Sequence, residues 1–143
     1  MRKWLAIPLL AALLLGPLIW RVEPWLLFEA RDADNPLLGH WRVDAMSDFD
    51  EYYLPDRVCV ESWGKATCRI VSYTIDGNVV AVTYVEEQVT AEFYIEGKTR
   101  VWIRDADDPD AAPFRWIWLD PGASFRSRCE ADPSHCPIAK PSA

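Results

Sequence analysis

The stretch Val89–Arg104, "VTAEFYIEGKTRVWIR", alternates apolar and polar side chains on both sides of a single glycine. Val89, Ala91, Phe93 and Ile95 share one face and Thr90, Glu92 and Tyr94 the other, the period of a half-buried strand. After the glycine, Thr99, Val101 and Ile103 stand opposite Arg100, Trp102 and Arg104. A three-residue turn, Ile95-Glu96-Gly97, puts Gly97 where the backbone needs positive φ. That register faces Glu92 to Arg100, Tyr94 to Lys98 and Phe93 to Thr99. A two-residue Glu96-Gly97 turn would slide the lysine onto the apolar face. Arg100, Trp102 and Arg104 then form an outward face, with Trp102 stacked on the arginines or serving as an interface anchor.

The same period recurs through the chain. In "HWRVDAM" Trp41, Val43 and Ala45 oppose Arg42 and Asp44. Asp76-Gly77 is a two-residue hairpin signal that faces Tyr73 to Val80 and Val71 to Val82. Further strands fall at 57–62 and at 114–119, "FRWIWL", where Phe114, Trp116 and Trp118 share a face. Apart from a turn around Ser47–Tyr53, no helical period shows outside the N-terminus. The expectation is an all-β fold: a small antiparallel meander of about seven strands, curled into a barrel or half-barrel to protect its edges. It spans 39–120, behind a polar linker at 29–38 and ahead of a coil tail, with a disulfide loop, at 121–143.

Residues 1–28 open with Arg2 and Lys3 and run apolar from Trp4 to Trp20, as a signal peptide or a signal anchor does. No pair of small residues suits a signal peptidase between Leu18 and Ala33. Trp4 and Trp25 would stand about 31 Å apart on a helix, close to a bilayer's hydrocarbon thickness. The expectation is a retained transmembrane helix in a bacterial inner membrane, N-terminus cytoplasmic and C-terminal domain periplasmic. Cleavage and release into the periplasm is the alternative, which the Gly16-Pro17 break favours. Of the formal net charge of −7, residues 1–28 carry +2 (three cations, one acid), so the remainder carries −9. Such an acidic domain argues against nucleic acid as a partner.

All four cysteines lie beyond that segment, in an oxidising compartment on this reading. "CVESWGKATC" folds as a hairpin that faces Cys59 to Cys68 as a non-hydrogen-bonded pair, with α-carbons about 4.5 Å apart and within disulfide reach. "CEADPSHC" closes a second loop through Cys129 and Cys136. His135 adds a third candidate metal ligand there, but the spacing fits no common zinc pattern. Two local disulfides are expected, and no metal or cofactor.

"LLGHWRVD", followed by hairpins such as "YTIDGNVVAVTY", resembles the opening of lipocalin-like domains, with Gly39-His40-Trp41 matching their Gly-x-Trp. The resemblance implies a barrel closed at one end by the tryptophan, against an arginine from the last strand, here Arg115. It also implies binding of a small apolar ligand, in a cavity lined by Val71, Tyr73, Val80, Val82, Phe93 and Trp116.

No nucleophile elbow or glycine-rich phosphate loop is present, and His40 reads as a solvent-facing histidine. Asp105, Asp107, Asp108 and Asp110 lack the glycine of a calcium-binding EF-hand loop and read as a solvated acidic loop. "DFDEYYLP" mixes acids with tyrosines, as binding surfaces do, or as a plug for one end of a barrel does. The expected function is non-catalytic: an accessory subunit, assembly factor or inhibitor that binds an envelope or inner-membrane protein. The expected contact residues are Asp48, Asp50, Tyr52, Tyr53, Arg100, Trp102, Arg104, Asp107 and Asp108. The small-ligand reading is the alternative.

Overall fold

Eight strands run as one antiparallel meander in the computed structural model, which describes residues 31–139 apart from 33, 45 and 47. They are β1 (Gly39–Val43), β2 (Phe49–Tyr53), β3 (Arg57–Ser62), β4 (Lys65–Asp76), β5 (Val79–Tyr84), β6 (Val89–Glu96), β7 (Thr99–Trp102) and β8 (Trp116–Asp120). Each pairs with the next, and β8 pairs with β1, so the sheet closes into a barrel. The count is eight rather than seven because β2 occupies the stretch expected to be a turn. Its alternation was masked by a carboxylate, Glu51, at an inward position beside Tyr53.

The hairpin turns decide which side chains face inward. Trp63 and Gly64, both at positive φ, make the two-residue turn that pairs Cys59 with Cys68, with α-carbons 4.0 Å apart and a disulfide between them. At Gly77 and Gly97 the expected registers are corrected. Each glycine, at φ 58°, is the first central residue of its turn, followed by Asn78 or Lys98. That placement suits a hairpin whose first central position alone needs positive φ. Tyr73 therefore pairs with Val82 and Val71 with Tyr84, a shift of two that keeps the faces. In the β6–β7 hairpin the shift is odd: Ile95 pairs with Arg100 and Phe93 with Trp102. An odd shift exchanges the faces of a strand, so Arg100 and Trp102 point into the barrel.

One end of the barrel is closed by the segment before β1. Leu37 is fully buried, and its carbonyl accepts a 2.7 Å hydrogen bond from Trp41 Nε1. Trp118 Nε1 donates to the Leu38 carbonyl at 3.1 Å. Arg31 lies over the Trp41 and Trp118 rings and donates to the carbonyls of Gly97 and Pro36. The expected membrane segment, 1–28, lies outside the described residues. No helix among the described residues is long and apolar enough to cross a membrane.

After β8 the chain forms a helix, α1 (Ala123–Ala131), where coil was expected. Its Phe125 stacks on Tyr52 with ring centres 3.9 Å apart, outside the barrel. Tyr52, Leu54, Phe125 and both disulfides form a second, smaller core there. The tail then runs beside β4: Cys68 N–H donates to the Pro137 carbonyl and Ala139 N–H to the Cys68 carbonyl. The Cys129–Cys136 disulfide holds this return, and no cysteine is free.

Candidate functional site

Antiparallel alternation assigns each loop to one end of the barrel. The closed end carries 54–56, 77–78, 97–98 and the entering segment 31–38, whose charges are Arg31, Asp32, Asp34, Asp56 and Lys98, a net of −1. The open end carries 44–48, 63–64, 85–88 and 103–115. These hold eight carboxylates (Asp44, Asp48, Glu86, Glu87, Asp105, Asp107, Asp108 and Asp110) against Arg104 and Arg115. Exposed apolar side chains stand among them: Met46, Phe49, Trp63, Val85, Val89, Ile103 and Phe114. The mouth is thus acidic and apolar together, while the closed end is nearly neutral.

Two acidic loops that lie far apart in sequence are joined here. Asp44 N–H donates to the Arg115 carbonyl at 2.8 Å. The Arg115 guanidinium bridges Asp44 at 2.7 Å and Asp110 at 3.4 Å. These carboxylates hold the Arg115 pKa above its ordinary value, the Asp44 hydrogen bond being the main cause. Arg115 is therefore a mouth residue and does not pack on Trp41, the role implied by the lipocalin resemblance. Two other guanidiniums do pack there, Arg31 from outside and Arg100 from within the barrel.

The expected contact residues divide between surface and core. Asp48, Arg104, Asp107 and Asp108 are exposed at the mouth, and Trp102 is half-buried on its inner wall. Arg100 and Tyr53 lie in the core and Tyr52 is covered by α1, so none of the three presents a surface. Arg100 is wholly buried among Trp41, Tyr53, Phe93 and Trp116, with Glu51 as its carboxylate partner at 3.2 Å. Burial pushes the Tyr53 hydroxyl pKa well up, opposed by the Arg100 charge, and this hydroxyl donates to Glu51. Val71, Tyr73, Val80, Val82, Phe93 and Trp116 all belong to this interior core.

His40 is buried rather than solvent-facing. Nε2 lies 2.7 Å from Asp50 and Nδ1 2.9 Å from Asp120, and the ring stacks on Tyr52. Asp50 also binds Arg42 at 2.9 Å, so it belongs to this internal network. Both imidazole nitrogens are committed to carboxylates, which leaves neither in contact with a hydroxyl or thiol. Among the described residues no group of three or more histidines, cysteines and carboxylates is placed to hold a metal ion. Asp105 and Asp110 lie in two short 3₁₀ turns, Ile103–Asp105 and Pro109–Ala111, with Asp107 and Asp108 between them.

Among the described residues, cavities lie outside the barrel interior. One, of about 460 Å³, sits between the 54–57 segment and the α1–disulfide tail. Another, of about 580 Å³, is a groove at the mouth lined by β6, Trp102, Ile103, Arg104 and Phe114. Sequence reasoning did not find this groove, because it exists only where β7 stops short. Pro109 and Pro113 mark the acidic run as non-strand, but nothing in the local pattern places the stop at Trp102.

Comparison with protein-family models, with curated proteins and with solved structures finds no match. The fold and the mouth therefore carry the functional argument.

Proposed function

We propose that this chain is a non-catalytic binding domain that captures another envelope protein through the open mouth of its barrel. It would act as an accessory subunit, assembly factor or inhibitor, held at the bacterial inner membrane by its N-terminal segment with the barrel on the periplasmic side. The observation that carries this reading is the asymmetry of the two ends. Eight carboxylates and seven exposed apolar side chains belong to or flank the loops of one end, and the opposite end receives Arg31, where the chain enters the barrel. Apolar side chains supply contact area, and a field of one sign steers and selects an oppositely charged partner.

The lipocalin-like alternative, a small apolar ligand inside the barrel, is less well supported. The interior centre is occupied by the Arg100–Glu51 pair and the rings that surround it. An apolar ligand there would have to displace a cation from four aromatic faces.

The test is photo-crosslinking of the full-length protein in native membranes from a reactive side chain in place of Asp108. One dominant envelope partner is expected, its yield cut at least fivefold by Asp48→Asn with Asp107→Asn and by raised salt. Crosslinks to no protein, or to many in proportion to abundance, would overturn the reading.

A further inference from the structure

At the corner where β6 passes β7, strand pairing stops short. β6 pairs with β5 from Val89 to Tyr94, but β7 reaches only Trp102, opposite Phe93. There the chain leaves in the 3₁₀ turn Ile103–Asp105, and the Ile103 carbonyl accepts from Ala106 N–H at 3.2 Å. Val89–Glu92 thus has no strand on its second edge among the described residues. Ile95 N–H donates to the Asn78 carbonyl, so the odd-numbered residues of β6 bond toward β5. Alternation turns the main-chain groups of Thr90 and Glu92 the other way, into the 580 Å³ groove.

Both the walls and the charges of that groove bear on what fits it. Val89 is 57% exposed and Phe114 49%, so apolar surface borders the open edge. The flanking loops, 85–88 and 103–115, hold six carboxylates against two arginines, a local net of −4. A second copy pairing through the same edge would bring two such fields together. An unpaired edge with side pockets is the geometry that accepts an added strand, in which main-chain bonds give affinity and alternate side chains give selectivity.

We infer that the Thr90–Glu92 edge takes a short extended segment of a basic partner protein as an added strand. The segment sets its apolar side chains against Val89, Trp102 and Phe114, and its cations toward the acidic loops. The free edge is about 13 Å long at 3.3 Å per residue, so four or five partner residues fill it. The inference rests on the protein-binding reading and specifies how that binding is made.

The test uses the full-length protein in detergent, titrated with a seven-residue peptide of alternating lysine and valine, with a glutamate-for-lysine twin as control. Amide exchange at Thr90 and Glu92 is followed residue by residue. The lysine peptide is expected to slow both amides at least tenfold, and the glutamate twin to leave them unchanged. Thr90→Pro removes the edge donor without removing a β5 ladder bond and abolishes the effect. Thr90→Val keeps the donor and retains it. Val89→Lys, at an exposed position, weakens the lysine peptide at least fivefold. Unchanged exchange at saturating peptide, equal protection by the twin, or protection that survives Thr90→Pro overturns the inference. A reactive side chain at position 90 separates this from the underlying reading. Crosslinks from position 108 but none from position 90 would sink strand addition alone; none from either would sink both.

Discussion

The Arg100 guanidinium lies 4.3 Å from the centre of the Trp116 ring, in a barrel core where Arg100 has no exposed surface. Phe93, Tyr53 and Trp41 stand around it at 4.4, 4.8 and 5.2 Å, and Glu51 supplies the one carboxylate. A cation removed from water is tolerated only when it is paired and held by favourable faces. Nε and Nη1 have no hydrogen-bond partner among the described residues, so the arrangement depends on Glu51 and the rings.

Arg100→Ala is expected to cost about 3–5 kcal/mol, because it leaves Glu51 unpaired and opens a cavity among the rings. Arg100→Met with Glu51→Gln should recover most of that loss, since no charge is then stranded and Tyr53 keeps an acceptor. Urea unfolding followed by tryptophan fluorescence measures both. Losses that simply add in the double variant would show that the two residues are not coupled.

Gly39 sits at φ 127°, and a β-carbon there would meet Trp118 Nε1 and the Asp120 carbonyl. Gly39→Ala should therefore destabilise the barrel by about 3 kcal/mol or more, through both strain and overlap at the β1–β8 seam. Gly64→Ala, where a β-carbon meets nothing within 4 Å, carries only the backbone term and should cost about 1 kcal/mol. Equal losses at the two sites would contradict the steric argument.

Alkaline pH should unfold the protein through its tyrosines. Burial pushes Tyr52 up to about 12, aided by the nearby Glu61 and Asp50 charges, and also raises Tyr53, Tyr73 and Tyr84. In the unfolded chain these phenols ionise near pH 10. The stabilisation from keeping them neutral is complete below pH 10 and is lost as pH rises from about 10 toward 12 and beyond. A urea midpoint that falls steeply across this window, less so in Tyr52→Phe, is expected. A flat profile would mean that the phenols are not buried.

Cys129→Ser with Cys136→Ser should release the tail while the barrel persists. The closed loop is short, so the loss is about 2–3 kcal/mol. It should appear first as faster amide exchange at Cys68 and Ala139, whose hydrogen bonds tie the tail to β4. Unchanged exchange at those two amides would show that the tail is held without the disulfide.

Much of the barrel was legible in the chain itself. Alternation in Val89–Ile95 and Trp41–Val43, with turn residues between strands, gave the meander, because one buried face imposes a period of two. Pairing at a two-residue turn was enough to place Cys59 against Cys68. The acidic loops at 48 and 105–110 could be named, but not their meeting at one mouth, which comes only from closure of β8 on β1.

What tertiary structure alone decided is the sidedness of β7 and the gap beside it. Gly97 can serve as either the last or the first residue of a turn, and the local sequence tolerates both. The choice falls to the core, where Arg100 inside finds Glu51 and four rings, and this also draws the unlikely-looking β2 into the sheet. An ion pair satisfied across the barrel leaves no trace in either strand's own pattern. The free edge at Thr90–Glu92 likewise depends on where a neighbouring strand ends, a relation between segments that hydrophobic period does not encode.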